Sequence, residues 1–254
     1  MKMKNKNILV LGVANEKSIA WGIVNCLKEQ GANVALTFVN EQIEKRVVPL
    51  AESVKADFVA PLDVTKDQDL ENLPSFVSKY WRKIDGIVHS LAFANREDLK
   101  GRFVETSREG YSLACDVSAY SLIAVSRVLL GLMSEGSSIV TLTYHGSQQV
   151  IPGYNVMGVA KAALEATARY LAYDLGQQKI RVNCISAGPM KTLASSAING
   201  LRNFTDTVEQ KSPLRENISS IDVGHLATFL LSEEAKHITG QTLYVDSGMS
   251  IMGA

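Results

Sequence analysis

The sequence has no excess of charge: Lys+Arg and Asp+Glu each total 26 in 254 residues. A chain of zero formal charge offers no general attraction to nucleic acid or an anionic membrane surface. It also lacks a hydrophobic run long enough to span a bilayer, although 46% of its residues are hydrophobic. The N-terminus, Met-Lys-Met-Lys-Asn-Lys, is basic, but the apolar Ile8-Leu-Val-Leu-Gly12 that follows is too short for a signal-peptide core. The expected location is therefore the cytoplasm. Only three cysteines occur, Cys26, Cys115 and Cys184, widely spaced and without a CxxC, which suits reduced packing residues. The four histidines (His89, His145, His225, His237) show no ligand spacing, so no metal site is expected. Repeats, low-complexity tracts and Pro/Ser-rich linkers are missing too, so residues 1–254 are expected to form a single domain.

What the chain does have is alternation. Runs rich in Val, Ile and Leu predict strands at about Asn7–Gly12, Asn33–Phe38, Asp57–Ala60, Gly86–Ser90, Ser138–Thr143, Arg181–Ser186 and Gln241–Val245. Helices are expected at Ser18–Gln30, Asn40–Ser53, Asp67–Tyr80, Glu109–Leu132, Tyr154–Leu175 and Ser220–Leu231, with Gly176 closing the fifth. Most strands are continuous apolar runs, as expected when helices cover both faces. The pattern predicts an α/β fold with a doubly wound, seven-stranded parallel sheet and a ligand at the carboxyl ends of its strands.

The stretch from Tyr144 to Lys161 carries the most chemistry. A strand ends on Tyr144, Pro152-Gly153 punctuates a loop, and Tyr154 and Lys161 lie seven residues apart. Two helical turns would put both on one face. A free phenol, of pKa about 10, is a sluggish acid near neutrality. A neighbouring ammonium is expected to lower that value and make Tyr154 a usable proton donor. The spacing alone suits an ordinary helix with a surface lysine equally well. At the start of the chain, an apolar strand runs into Gly12, and the following helix begins at Ser18-Ile19, whose amides are placed to hold a pyrophosphate. The Ser18 hydroxyl either caps that helix or donates to phosphate. The turn lacks a complete GxGxxG.

Three motifs combine: Gly12-x5-Ser18-Ile19-Ala20-x-Gly22, Tyr154-x6-Lys161 with Tyr144 ten residues earlier, and Ile185-Ser-Ala-Gly-Pro-Met190-Lys-Thr192-Leu. Together they resemble the short-chain dehydrogenase/reductases and, among them, the bacterial enoyl-acyl carrier protein reductases of fatty acid synthesis. The resemblance spans essentially the whole chain and implies a Rossmann-like catalytic domain that binds a reduced nicotinamide dinucleotide. Gly12, Ser18 and Ile19 are then expected at its phosphates and Val39 at the adenosine ribose. Asp63 and Val64 would flank the adenine, although Asp63 taken alone also suits a turn or cap. Ser90 and Leu91, ending the fourth strand, would meet the cofactor. So would Lys161 at the ribose, the Met190 backbone at the carboxamide and Thr192 at the pyrophosphate, followed by Leu193 and Ala194. Where a dinucleotide fold often carries an acidic residue, or a basic one for a 2′-phosphate, this chain has Phe38-Val39-Asn40. NADH is therefore expected over NADPH, with Lys45 and Arg46 in the next helix as the counter-argument.

On the substrate side, the resemblance implies Phe93, Ala94 and Leu99 with Tyr144, Tyr154 and Met157. The expected reaction is hydride transfer to the β-carbon of a trans-2-enoyl thioester borne on acyl carrier protein. Tyr154 would donate to the thioester oxygen, Lys161 hold the ribose, and Tyr144 shape the substrate side. Ser118 and Ser121 stand where related enzymes carry a relay Asn, so no relay residue is assigned. A carbonyl reductase is the nearest rival, opposed by Tyr144 and the lengthened first turn. A non-catalytic dinucleotide sensor would have no reason to keep Tyr154 and Lys161 together. Residues at about 190–212 suit a mobile flap over the substrate, or an ordinary surface helix pair. Lys191, Arg202, Lys211 and Arg215 outnumber Asp206 and Glu209 there, which suits either an acidic carrier's docking site or incidental surface charge. The apolar tail Met249–Met252 is expected at a subunit interface, the resembled family being typically homotetrameric.

Overall fold

The structure, a computed structural model, describes residues 1–190, 192 and 201–253, without the side chains of residues 201–204. The strands are β1 (Asn7–Leu11), β2 (Asn33–Phe38), β3 (Val59–Pro61), β4 (Ile84–His89), β5 (Met133–Thr143), β6 (Arg181–Ala187) and β7 (Thr242–Val245). They pair in the order β3-β2-β1-β4-β5-β6-β7, and each neighbouring pair is parallel. The helices are α1 (Ile19–Glu29), α2 (Glu41–Ser53), α3 (Asp67–Val77), α4 (Arg108–Cys115), α5 (Ser121–Leu129), α6 (Val156–Gly176), α7 (Leu201–Lys211) and α8 (Ser220–Leu231). Successive strand residues point to opposite faces. Accordingly, Leu9 and Leu11 of β1 pack in a core with Leu70 and Leu73 of α3, Leu122 and Val125 of α5 and Leu164 of α6. Ile8 and Val10 pack on the other face with Ile23 and Leu27 of α1, Val47 of α2 and Val223 and Leu230 of α8. The expected doubly wound sheet is the one observed.

Several boundaries differ for identifiable reasons. β4 starts at Ile84, because buried Asp85 accepts from the Asn7 amide at 2.9 Å and pairs with Lys6 and Lys83 at 3.5 and 2.9 Å. Asp-Gly, which reads as a turn, is thus held inside the strand. The expected helix Glu109–Leu132 is two helices, α4 and α5, joined through a π-helical turn at Asp116–Tyr120 and ending in a short 3-10 turn. Within Arg108–Leu132 an 18-residue window of mean hydropathy 1.6 is long and apolar enough to cross a membrane, contrary to the expectation that no run would be; half of that window is buried in the fold, where α5 packs with α3 and α6. Gly176 is the last residue of α6 rather than a left-handed cap, and Lys179 takes the positive φ (60°) instead.

Chain order reverses between β1 and β4, and the crevice opens at their carboxyl ends. Gly12, just past β1, has φ 96°, and a Cβ there would overlap the Ser90 carbonyl just past β4. Both the left-handed backbone and the closeness of the two strand ends require glycine. Gly12→Ala is expected to destabilise the fold by at least about 1–3 kcal/mol through backbone strain, read as a lowered urea midpoint at unchanged m-value.

Candidate active site

The first turn is held from inside. The Ser18 hydroxyl accepts from the amides of Ala14 and Asn15 at 3.0 and 3.1 Å and makes no bond to its own helix. It does not cap the helix; it shapes the loop between Gly12 and Ile19. Among the described residues no side chain caps α1, and its first turn carries no acidic residue, so the N-terminal amides, Ile19 included, present their partial positive charge. Val39 is 47% exposed at the tip of β2. Asn40 beside it is committed as the α2 cap, accepting from the Ile43 amide at 3.1 Å, and Lys45 and Arg46 are exposed on that helix. Asp63 is largely engaged, with Oδ1 accepting from the Thr65 amide and hydroxyl at 3.1 and 2.7 Å and Oδ2 paired with Lys66 at 3.4 Å. Val64 packs in the core beside Leu62 and Leu70, and Leu91 lies against the same core.

Tyr154 lies before α6, not in it. Asn155, with φ 37° and ψ −120°, separates it from the first helical turn, an unfavourable backbone that aims the tyrosine independently of the helix. Tyr154 is 8% exposed, and its ring meets that of Tyr144 edge-on, with centroids 5.0 Å apart. Lys161, one turn further along α6, is 5% exposed, and its Nζ donates to the Leu142 carbonyl at 2.7 Å. Burial lowers the Lys161 pKa to about 8, against the opposing pull of Cys184 and Glu165. The expectation that Lys161 would lower the Tyr154 pKa fails in this state. Burial, and then Tyr144, pushes the phenol up, so Tyr154 keeps its proton. Beneath the pair, His89 is held by Thr141 Oγ1 at 2.9 Å and Ser121 Oγ at 2.8 Å. Burial, and secondarily the charge on Lys161, lowers its pKa to about 3, so it is neutral.

Of the six residues expected on the substrate side, Ala94, Leu99, Tyr144, Tyr154 and Met157 share one apolar cluster with Ala114, Val156 and Ala160. Phe93 does not join it. It is 51% exposed, and its backbone is pinned to Ser118, whose Oγ accepts from the Phe93 amide at 3.1 Å. Met190 lines a cleft of about 380 Å³ with Lys17, Pro189, Thr205 and Ser220. Thr192 is partly buried, and Lys191, Leu193 and Ala194 lie outside the described residues, as does much of the expected flap.

Sequence reading missed three contributors. Gly146 leaves the space that the Tyr154 ring fills, since a Cβ there would come within 2.6 Å of it; Gly158 admits the Gly146 carbonyl in the same way, at 2.8 Å. Glu165, four residues after Lys161, is 6% exposed and accepts from Thr143 and Ser147. The i, i+4 spacing from Lys161 was the available signal.

The family model for enoyl-(acyl carrier protein) reductase matches residues 12–250. The enoyl-(acyl-carrier-protein) reductase (NADH) FabI of Rickettsia prowazekii is 47% identical over 252 residues, covering 99% of this chain and 97% of its own. The protein of the same name from a Nostoc strain is 47% identical over 256 residues, covering 100% and 99%. The crystal structure of the Aquifex aeolicus enoyl-(acyl-carrier-protein) reductase (NADH) superposes with a TM-score of 0.97 at 46% identity, covering all of both chains. That of the Bacillus cereus enoyl-acyl carrier protein reductase, solved with NADP+ and indole naphthyridinone, gives 0.97 at 45% identity with the same coverage.

The buried lysine has a testable titration. Its folded pKa lies below the unfolded value, so protonating it costs stability, and that cost is relieved as pH rises from about 8 to about 10.5. The unfolding free energy of Lys161→Met relative to the native chain is therefore expected to fall across that window, as measured by urea unfolding at its two ends.

Proposed function

The chain belongs to the enoyl-(acyl carrier protein) reductase family, and from that premise we propose that it reduces a trans-2-enoyl thioester, borne on acyl carrier protein, with NADH. The observation that carries the reading is the convergence of Tyr144, Tyr154 and the Lys161-bearing helix on one apolar cluster beside the crevice. NADH, when bound, supplies the hydride. Gly12 and the uncapped amides at Ile19 fit its phosphates, and the tight turn that only glycine allows brings the backbone close to them. Val39 fits the adenosine ribose without contributing charge, and Ser90, Leu91, Met190 and Thr192 edge the same crevice. Asp63 and Val64 retain a place beside the adenine only at its rim, one being turn-bound and the other largely core. Lys161 presents its ammonium toward the ribose.

The chemistry asked of the chain is mainly electrostatic. Reduction at the β-carbon gathers negative charge on the thioester oxygen, and a phenol aimed there stabilises that charge as it forms. Loss of one such donor commonly costs about 2.7–4 kcal/mol. Tyr154 keeps its proton because it is buried, and it makes that bond in an environment largely free of water. Tyr144, held edge-on to it, shapes the substrate side. Ala94, Leu99 and Met157 line the apolar passage for the acyl chain, with Phe93 at its mouth.

Cytoplasmic location and a homotetramer belong to the same proposal. Tyr170 and Tyr173 of α6 are 79% and 83% exposed, and Ile251 of the tail is also exposed, apolar material that suits a subunit face. The basic balance around Lys211 and Arg215, with Lys191 and Arg202, is assigned to the approach of the acidic carrier, and residues 190–212 to a flap over the bound substrate.

Tyr154→Phe is expected to keep NADH binding but lose roughly two to three orders of magnitude in kcat/KM with crotonyl thioester, followed by loss of reduced-nicotinamide absorbance. Near-native turnover would remove the role from Tyr154. In the wild type, oxidation of NADH with acetoacetyl but not crotonyl thioester would make the chain a carbonyl reductase. Because Phe38-Val39-Asn40 carries no cation, kcat/KM is expected to favour NADH over NADPH by about tenfold or more, the value of one missing charge-assisted bond. Equal values would show that Lys45 or Arg46 reaches the 2′-phosphate.

A further inference from the structure

Glu165 is a carboxylate buried inside α6, away from the surface where charged residues on helices ordinarily sit. Its Oε1 takes two hydroxyl bonds, from Thr143 at 2.7 Å and Ser147 at 2.5 Å, within the range of bonds to an ionised carboxylate. Those residues flank Tyr144: Thr143 ends β5 and Ser147 ends the short turn His145–Ser147. A second tie lies one residue upstream, where Lys161 donates to the Leu142 carbonyl. The helix thus grips the chain on both sides of Tyr144, through two of its own residues four apart.

We propose that Glu165 is a positioning residue, clasping the segment that carries Tyr144 to the helix that carries Lys161 and supplying the buried counter-charge for the Lys161 ammonium. This rests on the catalytic reading above. His89 from β4 and Cys184 from β6 act on this pair, and Tyr154 ahead of α6 and Tyr144 on the clasped segment are the nearby phenols. His89 is neutral, the Cys184 thiol is pushed up to about 12 by burial, and both phenols are raised by burial. Arg169 faces Cys184 from α6, and Tyr244 of β7 faces Glu165 and Asp246. Among the described groups that act on Lys161, Glu165 is the carboxylate. Lys161 donates to the Leu142 carbonyl and makes no ion pair with Glu165, so the attraction between the two acts through space.

The two halves separate experimentally in the full-length chain. Glu165→Gln keeps the shape and one acceptor oxygen but removes the charge, whereas Thr143→Val with Ser147→Ala keeps the charge and opens the clasp. NADH dissociation constants, measured by nicotinamide fluorescence from about pH 6 to about 10, are expected to weaken above an alkaline midpoint that Glu165→Gln moves down by about half a unit or more. The double variant is expected to leave that profile in place and lose about tenfold in kcat/KM with crotonyl-CoA. If Glu165→Gln does not fold, Ser147→Ala alone, at a partly exposed position, is expected to lose severalfold in kcat/KM with NADH binding unchanged. A Glu165→Gln midpoint superimposed on the wild type, or clasp variants with native kcat/KM, overturns the proposal. If the wild type itself fails to oxidise NADH with crotonyl-CoA, the catalytic reading fails instead, and the NADH binding profile still decides whether Glu165 acts on Lys161.

Discussion

An ammonium group taken out of water has to be met by fixed dipoles and charge, and the site is built around meeting that demand at Lys161. The Leu142 carbonyl takes one of its protons at 2.7 Å, and Glu165 sits one helical turn beyond. Burial still prevails, holding the lysine near pKa 8. The same burial raises the phenols of Tyr144 and Tyr154. A shell of neutral hydrogen-bonding groups follows from the same constraint: His89 with Ser121 and Thr141 lies below, and the Cys184 thiol lies to one side. Polar groups next to a buried cation are stable when their hydrogen bonds are satisfied, and a buried charge when it is paired.

That requirement explains why the strand ends, and not the loops alone, shape the crevice. Leu142 and Thr143 belong to β5, His89 to β4 and Cys184 to β6, so their positions are set by the sheet ladder. A strand pinned on both sides by parallel neighbours cannot shift to relieve a poor contact. Glycines then set how closely the remaining pieces approach. Gly12 lets the first turn meet Ser90, and Gly146 with Gly158 lets the Tyr144 turn lie against α6 with the Tyr154 ring in between. An added methyl at any of the three would displace backbone or an aromatic ring.

The chemistry gains from this dryness. A phenol donates a hydrogen bond whether or not its pKa is lowered, and in a low-dielectric pocket that bond counts for more as charge develops on its acceptor. An ionised tyrosine would have lost the proton it is there to donate. The raised pKa of Tyr154 is therefore compatible with the proposed donor role, which then rests on placement rather than acidity. Placement depends on Asn155, which turns the chain between Tyr154 and α6, and on the edge-on contact with Tyr144.

The sequence by itself determined the sheet, because apolar runs flanked by amphipathic helices admit few other arrangements, and it singled out Tyr154 and Lys161, because their spacing and surroundings form a motif. It also placed Ala94, Leu99 and Met157 among the residues that gather beside the two tyrosines. It left local partners open wherever a short polar side chain had several within reach. Ser18 closes its own turn, Asp63 serves Thr65 and Lys66, and Asp85 holds a strand end. Tyr154 fell outside the helix because a single residue with positive φ breaks the 3.6-residue count, which no periodicity reveals. Glu165 was passed over for a different reason: despite its i, i+4 spacing from Lys161, a carboxylate in an Ala-rich helix reads as a solvated face. Only the packing of α6 on the end of β5 makes it a buried group with two hydroxyl partners. What the tertiary structure alone decided was the burial of each polar group, and burial is what converts a residue type into an acid, a donor or a counter-charge.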